Sequence, residues 1–166
     1  MRCSANEIMT LAAKAARGAG APPAQAAAFG AAAACHLRAG NSADDLSRAL
    51  SALPNGPILE FPVMITRAFE NAVDDVASGE IKTGPFADLA LSYAGAQPVE
   101  TKSKFDGGNI QFQMFLSKPN MPPPTPRITI PDDLVAELHT LAARILVPES
   151  EISRLSGAGA GLTDND

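Results

Sequence analysis

The sequence has no tryptophan, one tyrosine and two cysteines among its 166 residues. Cys3 and Cys35 are too few for a disulfide framework or for a zinc site made of four cysteines. No apolar run reaches the length of a membrane span, and residues 1–7 lack the basic flank and apolar stretch of a secretory signal. These absences favour a cytoplasmic protein without a membrane partner.

Clustered basic residues are also missing. The 13 Lys and Arg are scattered among 18 Asp and Glu, which gives a formal net charge of -5. Because a protein that binds duplex nucleic acid usually carries a basic face, we expect no nucleic-acid partner. His36 and His139 are far apart and have no carboxylate at a telling spacing. The sequence therefore predicts no metal site and no cofactor.

The apolar content points to a core of closely packed helices. Hydrophobic residues make up 46% of the chain, but many of them are alanine. Small side chains let helices approach closely, so a few Leu, Ile, Val and Phe clusters have to supply most of the buried area. The length suits a single domain.

The first half predicts helices, which we place over residues 5–17, 23–38, 42–53 and 62–77. Ser4 and Glu7 have the spacing of a capping box at the start of the first helix. Pro23 suits the first turn of the second helix, and Ser42 can cap the third. Gly79 is expected to end the fourth helix.

The pattern then changes to that of strands, over residues 87–93, 99–104, 109–117 and 128–130. In the third of these, Ile110, Phe112 and Met114 alternate with polar residues, as in a half-buried strand. Asp106-Gly107-Gly108 is a hairpin turn signal. Two more helices are predicted, over residues 131–146 and 148–156.

These elements define one α+β domain in three parts. An N-terminal helical lobe covers about residues 1–79. A three- to four-stranded antiparallel meander with C-terminal helices covers about residues 80–156, and residues 157–166 form a glycine-rich tail.

The glycine-rich tail offers the main candidates for ligand binding. The backbone N–H groups of Gly157, Gly159 and Gly161 could meet an anion, as in phosphate-binding nests. Arg17 and Arg154 could hold the same anion. The competing interpretation is a plain tail, with Arg17 as a favourable basic residue at a helix end.

Two further groups carry weaker signals. Asp164 and Asp166 are the candidates for a general base, or for ligands of a divalent cation. Cys35 and His36 are neighbours, but side chains adjacent on a helix diverge, so they are not expected to form a nucleophile–base pair. We interpret Cys35 as a packed thiol.

Stretches at both ends of the chain resemble a known family. These are residues 4–8 with 15–20 at the start, and residues 147–151, 153–155 and 157–166 at the close. Together they are similar to a bacterial family catalogued as domain of unknown function 3726. The resemblance implies a bacterial cytosolic protein. The family has no assigned activity, so it implies no catalytic residues.

Three hypotheses of function follow. The leading one is a binding or assembly module without its own catalytic centre, forming a homodimer. The second is a small enzyme acting on an anionic metabolite, with Arg17 and Arg154 beside the glycine-rich end. The third is an accessory subunit of a larger enzyme. The sequence alone leaves open whether the protein is an enzyme.

Overall fold

The structure is a computed structural model that describes residues 1–122 and 126–145. Within them the chain forms six helices and five strands. Their order is β1 (Arg2–Cys3), α1 (Ala5–Gly18), α2 (Pro23–Arg38), α3 (Ala43–Ser51), α4 (Pro57–Glu70), β2 (Val76–Lys82), α5 (Ala87–Gly95), β3 (Val99–Asp106), β4 (Asn109–Pro119), β5 (Ile128–Thr129) and α6 (Asp132–Ala143).

The main sheet has three antiparallel strands in the order β2-β4-β3. β3 and β4 form a hairpin, and its turn uses the positive φ angles of Gly107 and Gly108, which are +56° and +97°. β2 lies on the other side of β4, so α5 leads the chain from one edge of the sheet to the other. The α+β class and a three-stranded antiparallel sheet are confirmed, although the strand order is not that of a meander.

The first helix begins where its cap residues place it. The Glu7 backbone N–H donates to Ser4 Oγ at 3.2 Å, and the Ser4 backbone N–H donates to Glu7 Oε2 at 2.6 Å. This second hydrogen bond is the main reason why the pKa of Glu7 lies below its ordinary value. The predicted capping box is confirmed, and the predicted limits of α1 and α2 match within one residue.

Two glycines allow the helices to touch along their backbones. A Cβ atom added to Gly30 of α2 would lie 2.4 Å from the Met9 carbonyl oxygen of α1. One added to Gly18 of α1 would lie 1.8 Å from the Leu141 carbonyl oxygen of α6. No side chain fits at such distances, so at these two glycines the backbone of α1 directly contacts the backbones of α2 and α6.

The fourth helix lies earlier than its predicted position. We expected residues 62–77, but α4 runs from Pro57 to Glu70. Both Pro57 and Pro62 suit a helix start, and the chain uses Pro57, which follows Gly56 at φ +85°. Gly79 does not end a helix. It lies in β2, where the ring of Phe112 occupies the space of a Cβ atom.

The prediction of a strand over residues 87–93 is wrong. This segment belongs to helix α5, which continues to Gly95. α5 contacts α2 and α4 on one side and the sheet on the other, so it is apolar nearly all round. A short apolar segment buried on every side has no clear period in its sequence. The first strand of the sheet is instead β2, and part of it was assigned to the fourth helix.

One hydrophobic cluster joins the helices and the inner face of the sheet, from Cys3 to Leu138. The predicted short strand at residues 128–130 is present as β5, and it pairs with β1 in a second, two-stranded sheet. The predicted helix over residues 148–156 lies outside the described residues. No helix that the structure describes is long and apolar enough to cross a membrane.

Candidate functional site

The outer face of the main sheet carries a groove of about 590 Å³. We name it the lysine groove. Its side chains from the outer face come from all three strands and are Ser78, Glu80, Lys102, Lys104, Gln111 and Gln113. All six residues are exposed. The groove is therefore lined by side chains that can form hydrogen bonds or ion pairs with a ligand.

The strand period and register bring these six residues together. Side chains alternate between the two faces of a strand, and in β4 Ile110, Phe112 and Met114 point into the core. The intervening Gln113 pairs with Ser78 on one side and Lys102 on the other. Gln111 in the same way pairs with Glu80 and Lys104, so the groove consists of two rows of three residues.

The lysines of the chain are concentrated on this sheet. Four of the five lysines of the chain lie on its strands, at Lys82, Lys102, Lys104 and Lys118. Lys118 lies 3.9 Å from a Glu100 carboxylate oxygen. The other three have no carboxylate within ion-pair distance among the described residues. A chain with an acidic overall balance thus presents unpaired ammonium groups on one face.

The acidic side chain within the lysine groove and the aromatic residue beside it are already in contact with other groups. The Glu80 carboxylate accepts a hydrogen bond from the Asn109 side-chain amide. The ring of Phe115 is half-buried and lies under two ammonium groups, with Lys102 Nζ 5.2 Å and Lys118 Nζ 4.9 Å from its centroid. These cation–π contacts hold two lysine side chains across the sheet. They also cover the aromatic face on which a nucleobase would stack.

A second polar cluster lies between α2, α3 and α5. His36 Nε2 lies 2.9 Å from the Ser42 carbonyl oxygen, and Nδ1 lies 3.1 Å from Ser92 Oγ. A carbonyl oxygen only accepts, so Nε2 carries a proton. The Ser92 hydroxyl lies 2.6 Å from the Asp88 carbonyl oxygen, and Asp45 Oδ2 lies 3.7 Å from His36 Nε2. We name these five residues the His36 cluster.

The His36 cluster has the residue types of a hydrolytic triad but not the access. His36 is 0% exposed and Ser92 is 4% exposed. A nucleophile and its base must reach a substrate atom, and the surrounding helices cover both side chains. The cluster is a buried polar network that joins three helices.

Tyr93, one residue further along α5, is also buried and contacts Phe61 edge to face, with the ring centroids 5.6 Å apart. Burial raises the pKa of Tyr93 above its ordinary value. Its hydroxyl has no hydrogen-bond partner within the described parts of the chain. The phenol is therefore neutral and packs as an aromatic core residue.

Of the ligand-binding and catalytic candidates taken from the sequence, Arg17 lies within the described residues. Arg17 is exposed in the last turn of α1, where a basic residue suits the negative end of the helix. The other anion-binding candidates lie outside the described residues, and they are Arg154, Gly157, Gly159, Gly161, Asp164 and Asp166. The anion site at the C-terminus stays a prediction.

The cysteines and the second histidine show no shared site. Cys35 is half-buried, and its Sγ accepts a hydrogen bond from Arg38 Nη2 at 3.6 Å. Cys3 is buried, and His139 is exposed on α6. Over residues 1–122 and 126–145, no three His, Cys, Asp or Glu side chains lie close enough together to hold a metal ion.

Comparisons with family models, with curated proteins and with solved structures found no match to this chain. The resemblance of the chain ends to the bacterial family of unknown function is therefore neither supported nor contradicted, and it stays a prediction. What the chain does has to be inferred from its own surface.

Sequence reasoning missed both the lysine groove and the His36 cluster. Lys102 and Lys104 alternate along β3, and Gln111 and Gln113 do so along β4. This alternation is enough to place the four side chains on one face of a sheet, but it does not show that β2 lies beside them. The contact between His36 and Ser92, 56 residues apart, left no such signal, because it depends on how α5 packs against α2.

Proposed function

We propose that this chain is a binding module without a catalytic centre of its own, and that the lysine groove binds an acidic, extended segment of a partner protein. The observation that supports this most directly is the set of ammonium groups on an exposed sheet face that have no carboxylate partner in residues 1–122 and 126–145. Lys102 and Lys104 lie two residues apart on one side of the groove. That spacing suits alternate carboxylates of an extended peptide, whose side chains repeat every second residue.

The side chains of the groove favour a peptide over single-stranded nucleic acid. Sheets that bind single strands stack bases on exposed aromatic rings. Here the aromatic residue beside the groove, Phe115, is covered by Lys102 and Lys118. The side-chain amides of Gln111 and Gln113 both donate and accept, which suits the alternating N–H and C=O groups of a peptide.

Anisotropy of a fluorescein-labelled decapeptide of alternating Glu and Thr tests this proposal, with the Lys–Thr decapeptide for comparison. We expect the acidic peptide to bind and the basic one not to bind. The double variant Lys102→Glu, Lys104→Glu should weaken binding of the acidic peptide by at least about tenfold, because charged hydrogen bonds contribute roughly 1.5–3 kcal/mol each. Raising the salt concentration should weaken it further.

Lys14→Glu combined with Arg67→Glu is the matched control, since it makes the same change in net charge at exposed positions on α1 and α4. Equal losses in both double variants would mean that only net charge matters, and would contradict the proposal. A labelled dT10 oligonucleotide serves as the third probe. If only the oligonucleotide bound, and Lys102→Glu, Lys104→Glu abolished its binding, the partner would be nucleic acid and the proposal would be wrong.

We also propose that the module works in the cytoplasm. Cys3 and Cys35 are both free thiols, and thiols stay reduced in that compartment. The second hypothesis from the sequence, an enzyme for an anionic metabolite, depends on residues outside the described range. It stays a prediction.

A further inference from the structure

β3 is an edge strand with an open side. It pairs with β4 alone among the described strands, and from Lys102 to Asp106 each of its residues is exposed. Phe105 is 55% exposed, which is high for a large apolar side chain. The backbone N–H and C=O groups along such an edge can pair with a further strand.

The sequence of β3 is complementary to itself when read in reverse. An antiparallel pair of two β3 strands centred on Lys102 places Glu100 opposite Lys104 of the second copy, and Lys104 opposite its Glu100. Thr101 then faces Ser103. Opposite charges placed directly across a pair of strands stabilise it, and two-fold symmetry provides each of these contacts twice.

The apolar ends of the strand fit the same register. Phe105 comes to lie opposite Val99 of the second copy, on the face of the sheet that carries the core. The pair would cover the exposed Phe105 ring. A slip by one residue would lose both this contact and the charge pairs. A pair centred on Thr101 would place Glu100 opposite Lys102 but would lose the contact between Phe105 and Val99, so the register centred on Lys102 satisfies the charged and the apolar residues together.

One like-charge contact remains at the two-fold axis, where Lys102 faces its own copy. The Lys102 side chain is drawn away from the edge, because its Nζ lies over the Phe115 ring of β4. The ammonium groups of the two copies would therefore point over their own sheets. This reduces the repulsion at the axis.

The opposite edge of the sheet fits a second copy less well. Centred on Gly79, two β2 strands would pair Glu80 with Ser78 and Lys82 with Val76, which provides no charge pair; centred on Ile81 they would pair Glu80 with Lys82, but only residues 80–82 of the two strands would overlap. Glycine also weakens a strand. The β3 edge is thus the one suited to a second copy.

We propose that the protein forms a two-fold symmetric homodimer by antiparallel pairing of β3 with β3 of a second copy, centred on Lys102. The two sheets then form one sheet of six strands, and the two lysine grooves lie side by side. Lys104 takes part in both proposals, but the sedimentation experiment contains no peptide, so its result tests the pairing separately from what the lysine groove binds.

Sedimentation velocity over about 1–200 µM, with variants that exchange charge, tests the pairing. Glu100→Lys and Lys104→Glu each turn two attractive pairs into two repulsive ones. We expect each to raise the dimer dissociation constant about tenfold. The double variant Glu100→Lys, Lys104→Glu restores opposite charges in both pairs and should return the constant to within about threefold of the parent protein.

Lys82→Glu is the matched control, because it makes the same change of charge on the opposite edge of the same sheet. It should leave the dissociation constant within about threefold. Three outcomes would overturn the proposal. These are a strict monomer over the whole range, a dimer that Lys104→Glu leaves intact, and a double variant as weak as the single ones. Circular dichroism confirms that each variant is folded.

Disulfide formation tests the register in a Cys35→Ser background. Lys102→Cys places two thiols across the axis, with Cα atoms about 4.5–5.5 Å apart, which suits a disulfide. Lys104→Cys offsets its two thiols by four residues, or roughly 14 Å along the strands. We expect covalent dimer from the first variant only. Equal yields from both, or dimer from Lys104→Cys alone, would exclude this register.

Discussion

The helical side of this molecule and the outer face of its sheet use side chains in opposite ways. Among the helices, Gly18 and Gly30 let backbones touch, and His36 is hydrogen-bonded through both ring nitrogens. On the outer face of the sheet, Lys104 is exposed and has no ion-pair partner among the described residues, and β3 pairs on one side only with a strand that the structure describes. The polar groups of the His36 cluster are hydrogen-bonded within the chain, whereas the ammonium group of Lys104 on the sheet is available for contacts with another molecule.

This contrast supports the proposal that the sheet carries the binding surface. A buried group that is already hydrogen-bonded contributes to the stability of the fold, because its removal leaves partners unpaired. An exposed long side chain contributes little to stability. Substitutions on the two sides should therefore separate stability from binding.

His36→Ala is expected to cause the largest loss. It removes a fully buried ring and leaves the Ser92 hydroxyl and the Ser42 carbonyl without their partner. The free energy of unfolding should fall by about 3 kcal/mol, from the cavity and the lost hydrogen bonds together. Urea denaturation measures this. His139→Ala, at an exposed position on α6, is the control and should change the value by less than about 0.5 kcal/mol. Similar losses in both variants would contradict the structural role of the cluster.

Gly30→Ala comes next. The added methyl group would meet the Met9 carbonyl oxygen at 2.4 Å, so α1 and α2 have to separate. We expect a net loss of about 2 kcal/mol in urea, since overpacking outweighs the helix propensity of alanine. Gly95→Ala is the matched control in α5, where the new Cβ would lie 3.5 Å from Cys35 Sγ, an ordinary contact. That variant should stay within about 0.5 kcal/mol of the parent protein. Equal stability of the two variants would show that the helix contact is not tight.

Local chemistry explains which helices were predictable. α1 and α3 begin at serine caps that accept backbone N–H groups within three residues, at Ser4 and Ser42. Such signals need no knowledge of the rest of the chain. Pro57 and Pro62 were equally good helix starts by the same rules. The choice between them depends on packing, which the sequence does not show.

Contacts between distant segments explain the failures. The segment over residues 87–93 is a helix because α2 and the sheet enclose it, and a short apolar run fits a buried strand equally well. The lysine groove requires β2 and β4, which are separated by α5 and β3, to be neighbours. With β2 partly assigned to a helix, Ser78 and Glu80 could not be placed beside Gln113. The sequence was enough to place the polar side chains of β3 and β4 on one face of the sheet. It did not show that β2 contributes Ser78 and Glu80 to the same groove.

The smallest change in stability is expected at Gln113→Ala, in the middle of the lysine groove. The side chain is exposed and lies between Ser78 and Lys102 in the sheet register, so its loss should change the free energy of unfolding by less than about 0.5 kcal/mol. Met114→Ala, one residue further along β4 but fully buried, should cost about 3 kcal/mol in the same urea experiment. Gln113→Ala should nevertheless weaken binding of the acidic Glu–Thr decapeptide, because an amide that hydrogen-bonds the peptide backbone is lost. A variant that loses stability but keeps full affinity would reverse the assignment, since the outer face would then maintain the fold and a different surface would bind the peptide.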